Sequence, residues 1–230
     1  MGMVAACADT IKAQTVDEIM TKHEKAVGGL DNWNKIKTIK MDGSTIQGGM
    51  EINMTQTFIT EKAMRTDISF MGMNGFQIIT KDSGWAYMPF LGQTDIIAMP
   101  QEAVQSIQAQ ISPKHLQMLD YKTAGTKIEL AGKDTVNTSP CYKLKCTNSK
   151  GDNSFCYIDI ATYYLLRTEM TVKISDQEQE ISLAFNNYQK LPEGVVMPMT
   201  MTAQGADIIY KSIEINKPVD EKIFIPHIEK

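Results

Sequence analysis

The chain has 230 residues, 43% hydrophobic and 22% charged, with 27 acidic against 23 basic side chains and a formal net charge of −4. That length and balance suit one globular domain with an ample core and exclude the disordered class. No stretch reaches the ~20 apolar residues a bilayer helix needs, and no basic run supplies the footprint of a nucleic-acid binder.

The N-terminus carries one motif. Met3-Val-Ala-Ala-Cys7 resembles a bacterial lipobox, a small apolar triplet before a cysteine that takes lipid after cleavage, so Cys7 is a candidate lipidation site. The basic and hydrophobic regions that usually precede such a box are missing. Residues 1–14 therefore read as a signal-peptide remnant or a flexible tail, with secretory cleavage near Ala13-Gln14 as a competing reading.

Thr15-Val-Asp-Glu18 is a capping box: the Thr15 hydroxyl can satisfy the Glu18 amide while the Glu18 carboxylate reaches back. Val16, Ile19, Met20, His23, Ala26 and Val27 then share one helical face, and Gly28-Gly29 ends the helix. His23 on that face reads as a packed core histidine. Leu30 to Ile36 forms a short second turn carrying Trp33.

Period two takes over at Ile39. Met50, Ile52, Met54 and Phe58 alternate with Glu51, Asn53, Thr55 and Thr57, as strands with one apolar and one wet face do. Lys62-Ala63 turns the chain. Met64, Ile68 and Phe70 then oppose Arg65, Asp67 and Ser69, and Met73-Asn74-Gly75 reads as a turn. Phe76 and Ile78 continue the sheet, Asp82-Ser83-Gly84 turns again, and Trp85 and Tyr87 extend it.

A helix follows Pro100, with Ala103, Val104, Ile107 and Ile111 at helical spacing, and Ser112-Pro113 stops it. This excursion reads as a cap over one sheet face. Strands resume at Lys127–Leu130, with a hairpin from Cys141 to Ile160 and further strands at Leu165–Val172 and Glu180–Phe185. Met197, Met199 and Met201 line one face of the strand from Val195 to Ala203, where Pro198 implies an edge or a bulge. Gln204-Gly205 turns into Ile208–Ile215.

The cysteines lack zinc-site spacing, and the three histidines are scattered singly, so no metal or other cofactor is expected. A register centred on Gly151 puts Cys146 opposite Cys156, and a disulfide between them is conceivable in an oxidising compartment; a one-residue slip faces Cys146 with Tyr157 or Phe155. There is no GxSxG elbow, HExxH, P-loop or GxGxxG, and nothing nominates a catalytic residue. What remains is shape. A long antiparallel sheet with one apolar face and two amphipathic helices gives a mainly β (α+β) fold; helices packed flat on that face make a plain core, whereas a sheet that curls, as a twisted one of about ten strands tends to, leaves a concave apolar trough.

The segments TVDEIMTKHEKAVGGLDNWNKIKTIKMDG, MRTDISFMGMNGFQIIT with DSGWAYMPF, CYKLKC…CYIDIATYYLLRTEM and the tail EINKPVDEKIF resemble outer-membrane lipoprotein-sorting proteins of the LolA/LolB-like group, over about Thr15 to Ile225. The resemblance implies a single domain over 15–230. Its fold would be one curved antiparallel sheet of about eleven strands, an incomplete β-barrel with helices plugging its concave apolar face. It implies no catalysis and a cavity for the acyl chains of lipoproteins or other lipids, in the periplasm or on the periplasmic face of the outer membrane. Envelope transport partners follow, with membrane contact peripheral or through a lipid anchor. The candidate acyl-cavity residues are Met50, Ile52, Met54, Phe58, Met64, Ile68, Phe70, Phe76, Ile78, Val104, Ile107, Met197, Met199 and Met201. The family's carriers hold their lid with an inner-strand arginine, for which Arg65 is the nearest candidate, although its phase opposes the apolar residues. The alternative is an envelope interaction or assembly module whose sheet face is a filled core, and a lipid hydrolase is a third.

Overall fold

A computed structural model of the chain describes residues 14–107, 111–174 and 177–228; Cys7 lies outside them. Thirteen described strands form one antiparallel sheet: β1 (Thr38–Gln47), β2 (Met50–Ile59), β3 (Ala63–Phe70), β4 (Met73–Thr80), β5 (Gly84–Tyr87), β6 (Ile97–Ala98), β7 (Lys127–Val136), β8 (Ser139–Thr147), β9 (Asn153–Asp159), β10 (Leu165–Ile174), β11 (Gln177–Lys190), β12 (Val196–Ala203) and β13 (Ala206–Ile215). The order is β6-β5-β4-β3-β2-β1-β13-β12-β11-β10-β9-β8-β7. Each strand thus pairs with its sequence neighbour, except that β1 also pairs with β13. β6 and β7 remain as separate edges, so the barrel is incomplete. The two-residue β6 is too short to show in the alternation.

The helices α1 (Val16–Ala26), α2 (Leu30–Trp33), α3 (Gln101–Ile107) and α4 (Pro113–Leu116) cover one face, called inner here. The capping box of α1 is formed in both directions. Ile19 and Met20 pack on Leu144, Ile158, Leu165 and Phe185, filling the inner face over β8–β11. Past the helix end, the Val27 carbonyl accepts from Trp33 Nε1 at 2.8 Å and from the Val196 amide at 2.9 Å. Gly28 lies so close to β12 that a Cβ there would sit 2.3 Å from the Gly194 carbonyl oxygen. α3 lies over the β4–β5 end of the face, where Val104 is fully buried. The β12–β13 ladder begins only at Thr200, so Pro198 has no β13 partner for the N–H it lacks.

Two registers differ from the sequence reading. The β3–β4 turn is Met71-Gly72, with φ of 52° and 76°, and Phe70 pairs with Met73. Two successive positive φ values make this a tight primed hairpin turn. Asn74-Gly75, the stronger turn dipeptide on paper, lies within the strand. Gly75 is required there for closeness: a Cβ would fall 2.6 Å from the Tyr87 carbonyl oxygen and 2.9 Å from Phe90. The β8–β9 ladder pairs Cys146 with Ser154 and Leu144 with Cys156, so its centre is Lys150, one residue before Gly151. Asn148 sets that loop by accepting from the amides of Lys150 and Asp152 at 2.9 Å each. Cys146 and Cys156 are therefore diagonal neighbours on the inner face rather than directly opposite, and both are buried free thiols.

Candidate functional site

The inner face of β1–β4 resolves into rows that run across the strands. The first, Ile39–Phe58–Met64–Ile79, is sealed, with no member more than 3% exposed. The second is Met41–Gln56–Thr66–Gln77, polar on three adjacent strands. The third and fourth are Gly43–Met54–Ile68–Gly75 and Thr45–Ile52–Phe70–Met73, apolar but for Thr45. Residues of α2 and α3 pack on the first row, and the 3-10 turn Pro89–Leu91 lays Phe90 against Phe70 and Gly75 in the last two. Met54, Ile52, Ile68 and Phe70 are half-buried, while Met50 and Met73 are 43% and 39% exposed. An open apolar trough therefore runs toward the hairpin tips at Gly48-Gly49 and Met71-Gly72, continued across β13 and β12 by Ile208 and Met201.

Thirteen of the fourteen candidates divide three ways. Met50, Ile52, Met54, Ile68, Phe70 and Met201 share the accessible trough. Phe58, Met64, Val104, Met197 and Met199 are on the same side but buried in the core with Val27, Trp33 and Ile39. Phe76 and Ile78 are on the outer face, opposite Asp67 and Arg65, because the Met71-Gly72 turn sets the phase of β4. They pack with Ala63, Trp85 and Phe224. Ile107 ends α3, and its side chain is outside the described part. The alternation did not nominate Met73, Gln56, Thr66 or Gln77. Moving the turn by two residues would have added Met73, but a polar row on the apolar face has no signal in a two-letter pattern.

Arg65 is an outer-face residue. It donates to Asp67 at 2.7 Å and to the Ile223 carbonyl at 2.6 Å, and its guanidinium stands 4.7 Å over the Phe76 ring. It thus pins the 3-10 turn Glu221–Phe224 to the back of the sheet and makes no described contact with α3 or α4. Beside it lies a cavity of about 540 Å³, lined by Asn53, Thr55, Asp67, Ser69, Asn74 and Tyr87 among others. Its wall mixes polar and apolar groups, and Met54, Ile68, Met73 and Gly75 contribute to it beside these outer-face residues.

His23 is fully buried between α1, α4 and the β9–β10 turn, with Nδ1 2.7 Å from the Tyr163 carbonyl oxygen and Nε2 2.8 Å from that of Gln117. Burial holds its pKa below the ordinary histidine value, outweighing the two carbonyls, which pull the other way. It is structural, tying the segment after α4 to α1. Asp159 likewise holds the β9–β10 turn, accepting from the amides of Ala161 and Thr162 and from the Thr162 hydroxyl. Among the described residues there is no cluster of three histidine, cysteine or acidic side chains placed to hold a metal.

The described residues thus form an open antiparallel half-barrel, with helices on its inner face and part of that face left apolar and accessible. Solved structures share it. A LolA superfamily protein from Nitrosomonas europaea superposes over 93% of this chain and 99% of its own, with a TM-score of 0.57 and 11% identity. A DUF1329 family protein from Desulfovibrio piger matches over 91% and 96%, with a TM-score of 0.59 and 16% identity. An outer-membrane lipoprotein-sorting protein domain from Vibrio parahaemolyticus matches over 90% and 95%, with a TM-score of 0.52 and 14% identity. The chain has a LolA/LolB-like fold. No family model and no curated protein sequence matches it.

Proposed function

We propose that this chain is a non-catalytic carrier or acceptor of lipids or lipoproteins in the bacterial cell envelope, with residues 15–230 as its lipid-holding domain. The half-open apolar trough of Met54, Ile68, Ile52, Phe70 and Met73 carries this reading. Desolvating an acyl chain of ~14 carbons is worth on the order of 10 kcal/mol at about 0.8 kcal/mol per CH₂. A carrier has to match that loosely enough to release its cargo, and methionine thioethers give soft, adaptable contact. The buried first row and the filled face under α1 belong to the core, which confines cargo to the hairpin-tip half. The LolA-type neighbours support a place in the periplasm or on the periplasmic face of the outer membrane, with envelope proteins as partners. Contact with the membrane would then be peripheral or through a lipid on Cys7.

Native mass spectrometry of the protein purified from an envelope fraction tests this. The expected result is a lipid adduct that detaches at moderate collision energy. Reproducible absence of any adduct, with no uptake of an added fluorescent fatty acid, overturns the proposal.

A further inference from the structure

The cavity beside Arg65 has a volume of about 540 Å³, within the range that holds a small ligand. Asn53, Ser69 and Asn74 line it and lie directly opposite one another on β2, β3 and β4. Among the described residues none of these three side chains has a hydrogen-bond partner, and neither has the Tyr87 hydroxyl. Asp67 lines the cavity from the next row, opposite Thr55 and Phe76. Both contacts from the Arg65 guanidinium, at 2.7 and 2.6 Å, fall on Asp67 Oδ1, which leaves Oδ2 to accept from a ligand. At the rim, His227 Nδ1 is 3.0 Å from the Ile225 carbonyl oxygen, so a neutral ring offers Nε2 as an acceptor.

These groups limit what the cavity can hold. Carboxamides and hydroxyls both donate and accept, so their complement is a partner that does the same. Arg65 is the lining residue with a permanent positive charge, and its contacts go to Asp67 and the Ile223 carbonyl. An anion would lose its hydration with no uncommitted cation to replace it, and a cation would have to take Asp67 from Arg65. A hydrocarbon chain would cover the unpartnered amides without satisfying them. β2, β3 and β4 have ladder partners on both sides, so a peptide strand cannot add to them through its backbone. Sugar hydroxyls donate and accept without charge, and the C–H faces of a sugar ring pack on aromatic and proline side chains, which Tyr87 and Pro89 supply at the wall. We propose that this cavity is a binding site for a neutral saccharide. The sugar hydroxyls bond Asn53, Ser69, Asn74 and Asp67 Oδ2, and one C–H face lies against Tyr87. The site is additional to the apolar trough and does not rest on the carrier reading.

The test titrates ¹⁵N-labelled protein with maltose, cellobiose and diacetylchitobiose, with glucose 6-phosphate as the anionic control. At least one of the three disaccharides should move the side-chain amide resonances of Asn53 and Asn74 saturably, and the phosphate sugar should move neither. Asn53→Ala/Asn74→Ala should bind that disaccharide about tenfold more weakly, as the loss of one or two net hydrogen bonds predicts, read at the Tyr87 backbone amide that the variant retains. Both substituted positions are exposed, so the variant should fold. No shift with any of the three disaccharides overturns the inference, as does undiminished binding by the variant or tighter binding of glucose 6-phosphate. If the double variant does not fold, the wild-type shifts at Asn53 and Asn74 decide alone. Fatty-acid uptake is a separate readout, so either the saccharide site or the carrier reading can fail without the other.

Discussion

His23 sits between two backbone carbonyls, and a neutral imidazole can donate to only one of them. A second proton would satisfy both but would place a charge in a fully buried site. Burial wins, so the folded pKa is below the ordinary value of 6.5. The stability that His23 contributes is then complete above pH 6.5 and is lost as the pH falls through the folded value. The urea midpoint of the wild type should drop on acidification from about pH 7 to about pH 5 more than that of His23→Gln, which does not titrate. Parallel curves for the two proteins would refute the assignment. His115 runs the other way. Its hydrogen bond to Asp120 at 3.1 Å raises its pKa, so that tie is present below 6.5 and fades as pH rises through the raised value.

At the scale of elements, the β3–β4 hairpin explains most of the difference between sequence and structure. Alternation along Met50–Phe58 and Met64–Phe70 was legible because those strands have one wet face. β4 was not, because both of its faces are covered: Ile79 faces the helices, and Phe76 and Ile78 face the C-terminal segment. Without a polar face to set the phase, Asn74-Gly75 outweighed Met71-Gly72 as the turn. The Cys146 register slipped for a related reason, since Asn148 shapes its loop through side-chain bonds that spacing alone does not reveal. Met71 holds a left-handed φ of 52° while 69% exposed. Met71→Asn should therefore stabilise the hairpin by about 1 kcal/mol, seen as a higher denaturation midpoint. Gly75→Ala should destabilise it by about 1–3 kcal/mol, because the new methyl meets backbone rather than a yielding side chain. Arg65→Ala should speed amide exchange at Ile223 and Ile225 and leave the trough untouched, as expected of a residue that fastens the outer-face turn.

For the molecule as a whole, the meander brings its two terminal strands together at β1 and β13 and leaves β6 and β7 apart, which keeps one face concave and open at the hairpin tips. The helices fill only part of that face, and the central claim is that the unfilled part holds acyl chains. Titration with a dansyl-labelled fatty acid tests it through substitutions on opposite faces. Met54→Glu and Ile68→Glu place a charge in the trough, whereas Ile209→Glu places one at an outer-face position that is already 53% exposed. The account predicts saturable binding by the wild type and by Ile209→Glu, and at least tenfold weaker binding by Met54→Glu and Ile68→Glu in folded protein. No saturable binding by the wild type, or equal loss from the substitutions on both faces, would contradict it.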